Sequence, residues 1–150
     1  SLRDAVRGGD RSEEWVEATI HEGMRARPVV PLVGRRVQVD WRVGEFVVPK
    51  GSIVSANIVN MHHRPDLYPR PFEFLPERFL GVKPGTYSWI PFGGGTRRCL
   101  GASFAQFEMR RVLRLVLEQT NLQPATPRAE KLIRRPVTTV PEHGTPAILL

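Results

Sequence analysis

The sequence predicts a mixed α and β fold, mainly α with small β-hairpins. Two stretches, at residues 11–26 and 100–119, repeat apolar side chains at helical spacing. Between and after them lie short runs of alternating β-branched residues closed by turn residues. Fourteen prolines and thirteen glycines in 150 residues keep the elements short.

The first helix is expected over residues 11–26. Asp10 followed by Glu13 has the pattern of a capping box, where side chains satisfy N–H groups that a helix start leaves free. Val16, Ile20 and Met24 form its apolar stripe. Pro28 and Pro31 stop it, because proline lacks the N–H of a continuing turn. Glu22 and Arg25, three apart, leave one face. Strands are predicted at residues 35–41 and 45–49 around a turn at Arg42, Val43 and Gly44, with Val37 and Val39 alternating. A turn at Pro49, Lys50 and Gly51 leads to a third strand over residues 52–59. Residues 62–79 carry Pro65, Pro69, Pro71 and Pro76 among aromatic residues, which predicts an irregular stretch with short helical turns. Residues 81–98 make a long loop rich in glycine and proline, of the kind that is functional when ordered. In the second helix Ala105, Met109, Val112 and Val116 form a stripe with Leu113 beside it, which predicts the core element of the second half. The tail reads as a hairpin, residues 132–140 and 145–150 around Glu142, His143 and Gly144.

Hydrophobic residues at 41% and charged residues at 25% exclude the disordered class, and the length suits one domain spanning residues 1–150. A lone cysteine, Cys99, excludes an internal disulfide framework and a four-cysteine zinc cage. No apolar run approaches the ~20 residues needed to span a bilayer, and residues 1–10 hold no apolar signal core. A soluble, cytoplasmic protein is the expectation, with an anchor upstream of Ser1 left open. Lysine and arginine number 22 against 15 acidic residues, a net charge of +7. The arginines are scattered along the chain, as in Arg35–Arg36, Arg97–Arg98 and Arg134–Arg135. Such scatter predicts a solvated basic surface and no nucleic-acid partner.

The segment from Phe92 to Gly101, FGGGTRRCLG, concentrates the chemistry. Cys99 stands at the entrance of the second helix, after Gly93, Gly94 and Gly95 and two residues beyond Arg97. A helix N-terminus carries about half a positive charge and stabilises a thiolate. Such a sulfur can act as nucleophile, redox sensor or metal ligand. The bland alternative is a buried, inert thiol beside a plain turn. No Lys-Ser or Lys-Thr follows the glycines, so the loop is no P-loop. A zinc site from Cys99, His21, His62 and His63 fits no familiar spacing.

The segment resembles the haem-binding loop of the cytochrome P450 family, F-G-x-G-x-R-x-C-x-G, with Phe92, Gly93, Gly95, Arg97, Cys99 and Gly101 at its fixed positions. Glu22-Gly23-Met24-Arg25 is similar to that family's E-x-x-R motif, and Pro76-Glu77-Arg78-Phe79 to its P-E-R-F motif, in the family's order. His63-Arg64 resembles the H-R pair upstream of P-E-R-F. The resemblance implies the C-terminal, haem-ligating part of that fold, with the N-terminal and distal parts absent. It implies heme b (iron protoporphyrin IX) as cofactor and Cys99 as axial thiolate and metal ligand. Arg97, and also Arg35, would pair with the haem propionates. Phe92 would shield the sulfur. Glu22, Arg25 and Arg78 would form a buried structural triad, against the alternative of an exposed helix pair worth only about 0.2–0.5 kcal/mol. Val29, Val30 and Leu32 would border the substrate, though apolar character alone fits core equally well.

The implied activity is that of a monooxygenase, which inserts one atom of O2 into an organic, hydrophobic substrate and reduces the other to water. Electrons would come indirectly from NAD(P)H through a ferredoxin or flavoprotein reductase, with Lys83, Arg98, Arg110, Arg111 or Arg114 on the docking face. A thiolate-haem isomerase or peroxygenase on the same scaffold is one alternative, and a truncated product inactive alone is another. A basic nucleic-acid or protein interaction module is a distant third. The family's oxygen-activating A-G-x-x-T helix has no counterpart in the sequence. A missing partner for Ala105, Val112 and Val116 predicts an exposed apolar patch on the isolated chain, with a tendency to aggregate.

Overall fold

The computed structural model of the chain describes residues 2–8 and 12–150. The expected capping residue Asp10 lies outside the described residues. Two helices open the chain, α1 (Leu2–Gly8) and α2 (Ser12–Ala26). The middle holds β1 (Leu32–Arg36), β2 (Trp41–Val43), β3 (Phe46–Val48), β4 (Ile53–Asn57) and the short helix α3 (Ile58–His62). A long irregular segment follows, with 3₁₀ turns at Pro76–Phe79 and Gly95–Arg97. Helix α4 (Ala102–Gln119) then leads into β5 (Leu122–Pro124), β6 (Leu132–Arg134), β7 (Thr139–Pro141) and β8 (Ala147–Leu149).

Helix α2 organises the packing, because it is apolar on one side and polar but buried on the other. Val16 and Ile20, one turn apart, close on Val6 of α1 and on Met109, Leu113 and Leu117 of α4. Ala18 faces the opposite way, into a cluster with Tyr68, Phe79 and Trp89 from the irregular segment. One helix therefore joins the helical layer to the loop layer that leads to Cys99.

The strands form four separate antiparallel pairs: β1 with β4, β2 with β3, β5 with β8, and β6 with β7. The first predicted hairpin needs correction. Its turn falls at residues 44–45, because Gly44 takes a left-handed φ of +59° and Val43 pairs directly with Phe46. Residues 35–41 are not one strand. Arg35 and Arg36 pair with Val54 and Ile53, the chain then bends, and Trp41 pairs with Val48. Asp40 holds the bend by accepting the Lys50 N–H at 2.8 Å.

The tail is corrected in the same way. Proline cannot donate to a ladder, so Pro136 interrupts the predicted run of residues 132–140 and the chain turns there. Arg135 N–H donates to the Thr138 carbonyl at 2.8 Å across that turn. Residues 147–149 then pair with residues 122–124 rather than with 132–140.

Helix α1 was not anticipated. Its Arg7 reaches the C-terminal end of α4, donating to the carbonyls of Leu117 (2.8 Å), Glu118 (3.3 Å) and Thr120 (2.9 Å). These carbonyls have few helical partners left, and a cation beside them also suits the helix dipole. Helix α4 is less buried than its stripe predicts. Only Ala102 is fully buried on it, while Phe104, Phe107, Val112 and Leu115 stand exposed. Met109 and Leu113 face α2, and nothing among the described residues covers the outer face.

Candidate functional site

The site has two parts, a buried charge node on α2 and an open ledge around Cys99. In the node, Glu22 Oε2 accepts from Arg25 Nε at 2.6 Å and Oε1 from Arg25 Nη2 at 2.9 Å. Both side chains are wholly buried. The remaining Arg25 N–H groups donate to the carbonyls of His62 (2.9 Å), Pro71 (2.8 Å) and Glu73 (3.2 Å). All five guanidinium donors are thereby used, which is what makes a buried arginine tolerable. The Tyr68 ring lies 5.3 Å from the guanidinium carbon. Glu22 Oε1 also accepts the Leu75 N–H at 2.8 Å and Arg78 Nε at 3.4 Å, and Arg78 Nη2 donates to the Arg70 carbonyl at 2.7 Å. The structure thus brings Glu22, Arg25 and Arg78 together in a buried cluster, in place of an exposed pair.

Three consecutive residues then fix the approach to the cysteine loop. Tyr68 donates to the Ser88 carbonyl at 3.0 Å. Trp89 Nε1 donates to the His21 carbonyl at 3.0 Å. Ile90 N–H donates to His62 Nε2 at 2.9 Å. His62 is fully buried, and its pKa is drawn from 6.5 down to about 4. Burial is the largest cause; Arg25 and His63 also lower it, against a hydrogen bond involving Arg25 that raises it. His21 shifts in the same direction, chiefly by burial.

The ledge runs from Phe92 to Gly101. Gly93 and Gly95 adopt φ of +72° and +64°, a region that other residues enter only under strain. Cys99 N–H donates to the Phe92 carbonyl at 2.9 Å and closes the loop. The Cys99 thiol is free and exposed in this chain. A Cβ built on Gly93, Gly94 or Gly95 would meet nothing within 4 Å, so the ledge is open above its glycines. At Gly101 an added Cβ would stand 3.9 Å from the Cys99 sulfur. Leu100 and Phe104 expose their apolar side chains nearby in sequence, while Phe92 packs edge-on against Trp89.

The other candidate residues are scattered around this framework. Arg97 is exposed and makes no hydrogen bond or ion pair among the described residues. Arg35 is exposed on β1, with Nη1 donating to the Gly34 carbonyl at 2.8 Å. Val29 and Leu32 are exposed and Val30 is half-buried in this chain. The Val29 carbonyl accepts the Thr139 N–H at 2.7 Å, tying this edge to β7. His63 stacks on Phe72, and Arg64 pairs with the exposed Asp66. No three histidine, cysteine or acidic residues stand together as a metal cage among the described residues, so the zinc set of Cys99 with His21, His62 and His63 is not assembled. No helix there is long and apolar enough to cross a membrane.

Sequence reasoning missed His62 and the carbonyls around Arg25. The adjacent histidines were the one signal available, and it pointed to the neighbour, His63. Sequence reasoning also missed the grip of Arg7 on α4, whose signal was an i, i+4 arginine pair, Arg3 and Arg7, in an unassigned segment.

This architecture defines a cysteine-bearing loop braced by a buried ion-pair node. The cytochrome P450 family model matches residues 14–145, and the chain belongs to that family. Cytochrome P450 138 of Mycobacterium tuberculosis is 44% identical over 132 residues, covering 87% of this chain and 30% of that protein. Cytochrome P450 137 of the same species is 38% identical over 142 residues, covering 95% and 29%. The chain therefore spans about 30% of the length of these relatives. Among solved structures, retinoic-acid-bound cyanobacterial CYP120A1 superposes with a TM-score of 0.84 at 28% identity, over 99% of this chain and 38% of that one. A six-coordinated cytochrome P450 from Thermus thermophilus gives 0.86 at 29% identity, over 99% and 40%.

The family implies a haem cofactor, and the residues present fit one. An exposed sulfur is a soft ligand suited to iron. Glycines leave open space beside it, and Arg97 offers an unpaired guanidinium for a carboxylate.

Proposed function

We propose that the chain is the C-terminal, haem-ligating portion of a cytochrome P450 monooxygenase domain, with Cys99 as the axial thiolate. The observation that carries this reading is the exposed Cys99 thiol on a glycine ledge, at the start of α4 and braced from behind. Thiolate-bound haem activates O2 when supplied with electrons, so that one oxygen atom enters an organic substrate and the other leaves as water.

The chain's own residues would do the following. Cys99 would present its sulfur three residues before Ala102, the first residue of α4. The loop hydrogen bond from Cys99 N–H to Phe92 holds the sulfur's backbone in place. Phe92 would lend an apolar flank that shields the sulfur once haem is bound, and Gly93, Gly95 and Gly101 would let the macrocycle approach the backbone. Arg97 would clamp a propionate, with Arg35 as the second candidate. Glu22, Arg25 and Arg78 would hold the segment behind the loop. Val29, Val30 and Leu32 would form an apolar border for a hydrophobic substrate. The retinoic acid bound by the cyanobacterial neighbour is an apolar ligand of that kind.

Electrons would arrive from NAD(P)H through a ferredoxin or flavoprotein reductase. Exposed Arg98, Arg111 and Lys83 form no ion pair among the described residues and can meet an acidic partner, whereas Arg114 is engaged by Glu118 and Glu13. An NAD(P)H supply sets the reaction in the cytoplasm, whose reducing conditions also keep a free cysteine reduced.

The test is the carbon monoxide difference spectrum of the reduced, haem-loaded full polypeptide that carries these residues. A red-shifted Soret band that disappears in Cys99→His is expected. Haem binding with an identical spectrum in that variant would overturn the assignment.

A further inference from the structure

Resting on the proposal that Cys99 ligates haem, we infer that His62 is a positioning residue that holds the cysteine loop in register with the buried charge node. His62 ends α3 and is the one described residue hydrogen-bonded both to the side chains of the Glu22–Arg25 ion pair and to residues 88–90, which lead into the cysteine loop. Its carbonyl accepts Arg25 Nη1 at 2.9 Å, and its ring Nε2 accepts the Ile90 N–H at 2.9 Å. The path continues through the loop by backbone bonds. The Ile90 carbonyl accepts the Gly93 N–H at 2.9 Å, and Gly93 adjoins Phe92, whose carbonyl accepts the Cys99 N–H at 2.9 Å. A displacement of Ile90 is therefore passed to the residue that closes the loop on the sulfur.

The ring's chemistry fits this task. To accept the Ile90 N–H at Nε2, the imidazole must be neutral and carry its proton on Nδ1. Full burial, with Arg25 and His63 adding positive charge nearby, keeps it neutral through the ordinary pH range. The Tyr68 ring meets it edge-on, with centroids 6.4 Å apart, and fixes its plane. Nδ1 itself has no partner among the described residues. The ring is thus held by its Nε2 contact and by packing, and its single polar link points at the segment leading into the loop. The flanking anchors at Ser88 and Trp89 tie the same strand of loop to Tyr68 and His21, neither of which touches the ion pair by a hydrogen bond.

The test compares His62→Gln, whose amide oxygen reaches the Nε2 position, with His62→Asn, which is equally polar but too short, and His62→Leu, which lacks an acceptor. Two readouts are taken on the full polypeptide. The first is the ratio of the red-shifted to the unshifted carbon monoxide band. Leaving the Ile90 N–H buried and unpaired is expected to lower this ratio about fivefold or more in the Asn and Leu variants, with Gln close to wild type. The second is amide hydrogen exchange at Ile90, Gly93 and Cys99 in the haem-free protein, expected to quicken in Asn and Leu and not in Gln. If Leu fails to fold, the Gln and Asn pair still decides. Equal behaviour of Gln and Asn in exchange would overturn the inference. Absence of any red-shifted band in the wild type would overturn Cys99 ligation instead, and the exchange data would still judge His62 as the brace of the loop.

Discussion

Arg25 and Arg97 present the same guanidinium in opposite conditions. Arg25 is wholly buried, and each of its five N–H donors has a protein acceptor. Arg97 is exposed, and within the described chain it is bonded to nothing. The same contrast separates Glu22, which gathers Arg25, Arg78 and Leu75, from Cys99, whose sulfur faces open space. The ion pair behind the loop is saturated, although the buried Nδ1 atoms of His62 and His21 nearby are not, and the side chains of Arg97 and Cys99 face outward, unbonded among the described residues. The physical reason is direct. A brace must have no reason to move, whereas a ligand must keep its bonding capacity for something that is not protein. A groove of about 540 Å³ between α2 and α4, lined by Ile20, Met24, Met109, Val112 and Val116, is the apolar version of the same incompleteness.

The most direct way to break this comparison is to remove one member of the saturated set. Glu22→Ala strands the Arg25 guanidinium without its carboxylate in a buried site, and a loss of about 3–5 kcal/mol is expected. Urea unfolding of the full polypeptide reads it. A loss below about 1 kcal/mol would mean that water reaches the node and that its burial matters little.

The next effect comes through His62. Its folded pKa is near 4, against 6.5 for the unfolded chain. Between those values the unfolded state binds more protons, so stability falls as pH drops from about 6.5 towards 4 and is fully present above that window. The contribution is up to about 3 kcal/mol, since one pKa unit corresponds to about 1.4 kcal/mol. His21, also lowered by burial, acts in the same direction. The difference between wild type and His62→Gln isolates the His62 part. A difference that stays flat from pH 7 to pH 4 would show that this ring is not held neutral.

How much of this was legible before the structure follows from the kind of interaction involved. Cys99, Gly93, Gly95 and Arg97 stood out in the sequence through their resemblance to a family motif, whereas residue type and spacing alone left a nucleophile, a sensor, a ligand and an inert thiol all open. Glu22 and Arg25 were legible as a pair, but their burial rests on carbonyls at residues 62, 71 and 73. Carbonyls are present at every residue and leave no mark in the sequence. The acceptor role of His62 was hidden for the same reason, since its donor is a backbone N–H. The tail pairing was misread because Pro136 sits inside an otherwise strand-like run, and the turn signal at Gly144 masked it. Helix α4 was found within two residues at its start, yet its apolar stripe overstated its burial. Periodicity reports which face is apolar and says nothing about whether a neighbour covers it.

A smaller effect tests the unanticipated helix. Arg7→Ala removes the donor fork from the end of α4 and is expected to cost about 1 kcal/mol, because the bonds are exposed and partly replaced by water. Thermal unfolding of the full polypeptide measures it. A cost near that of Glu22→Ala would make α1 a second brace and would blur the distinction between saturated core and open face.

Arg97→Ala carries the smallest stability effect and the sharpest reading. Nothing among the described residues is bonded to this side chain, so the haem-free protein is expected to unfold within about 0.5 kcal/mol of wild type. The same substitution is expected to speed haem loss to an acceptor protein, because a charge-assisted bond to a propionate is removed. Arg97→Lys separates the two sources of that bond. Lysine keeps the charge but not the planar fork, so it recovers only part of the retention if geometry matters and all of it if charge alone does. A destabilised haem-free Arg97→Ala would place this arginine in the brace rather than on the ledge. Unchanged haem retention in a stable Arg97→Ala would leave Arg35 as the candidate for the propionate.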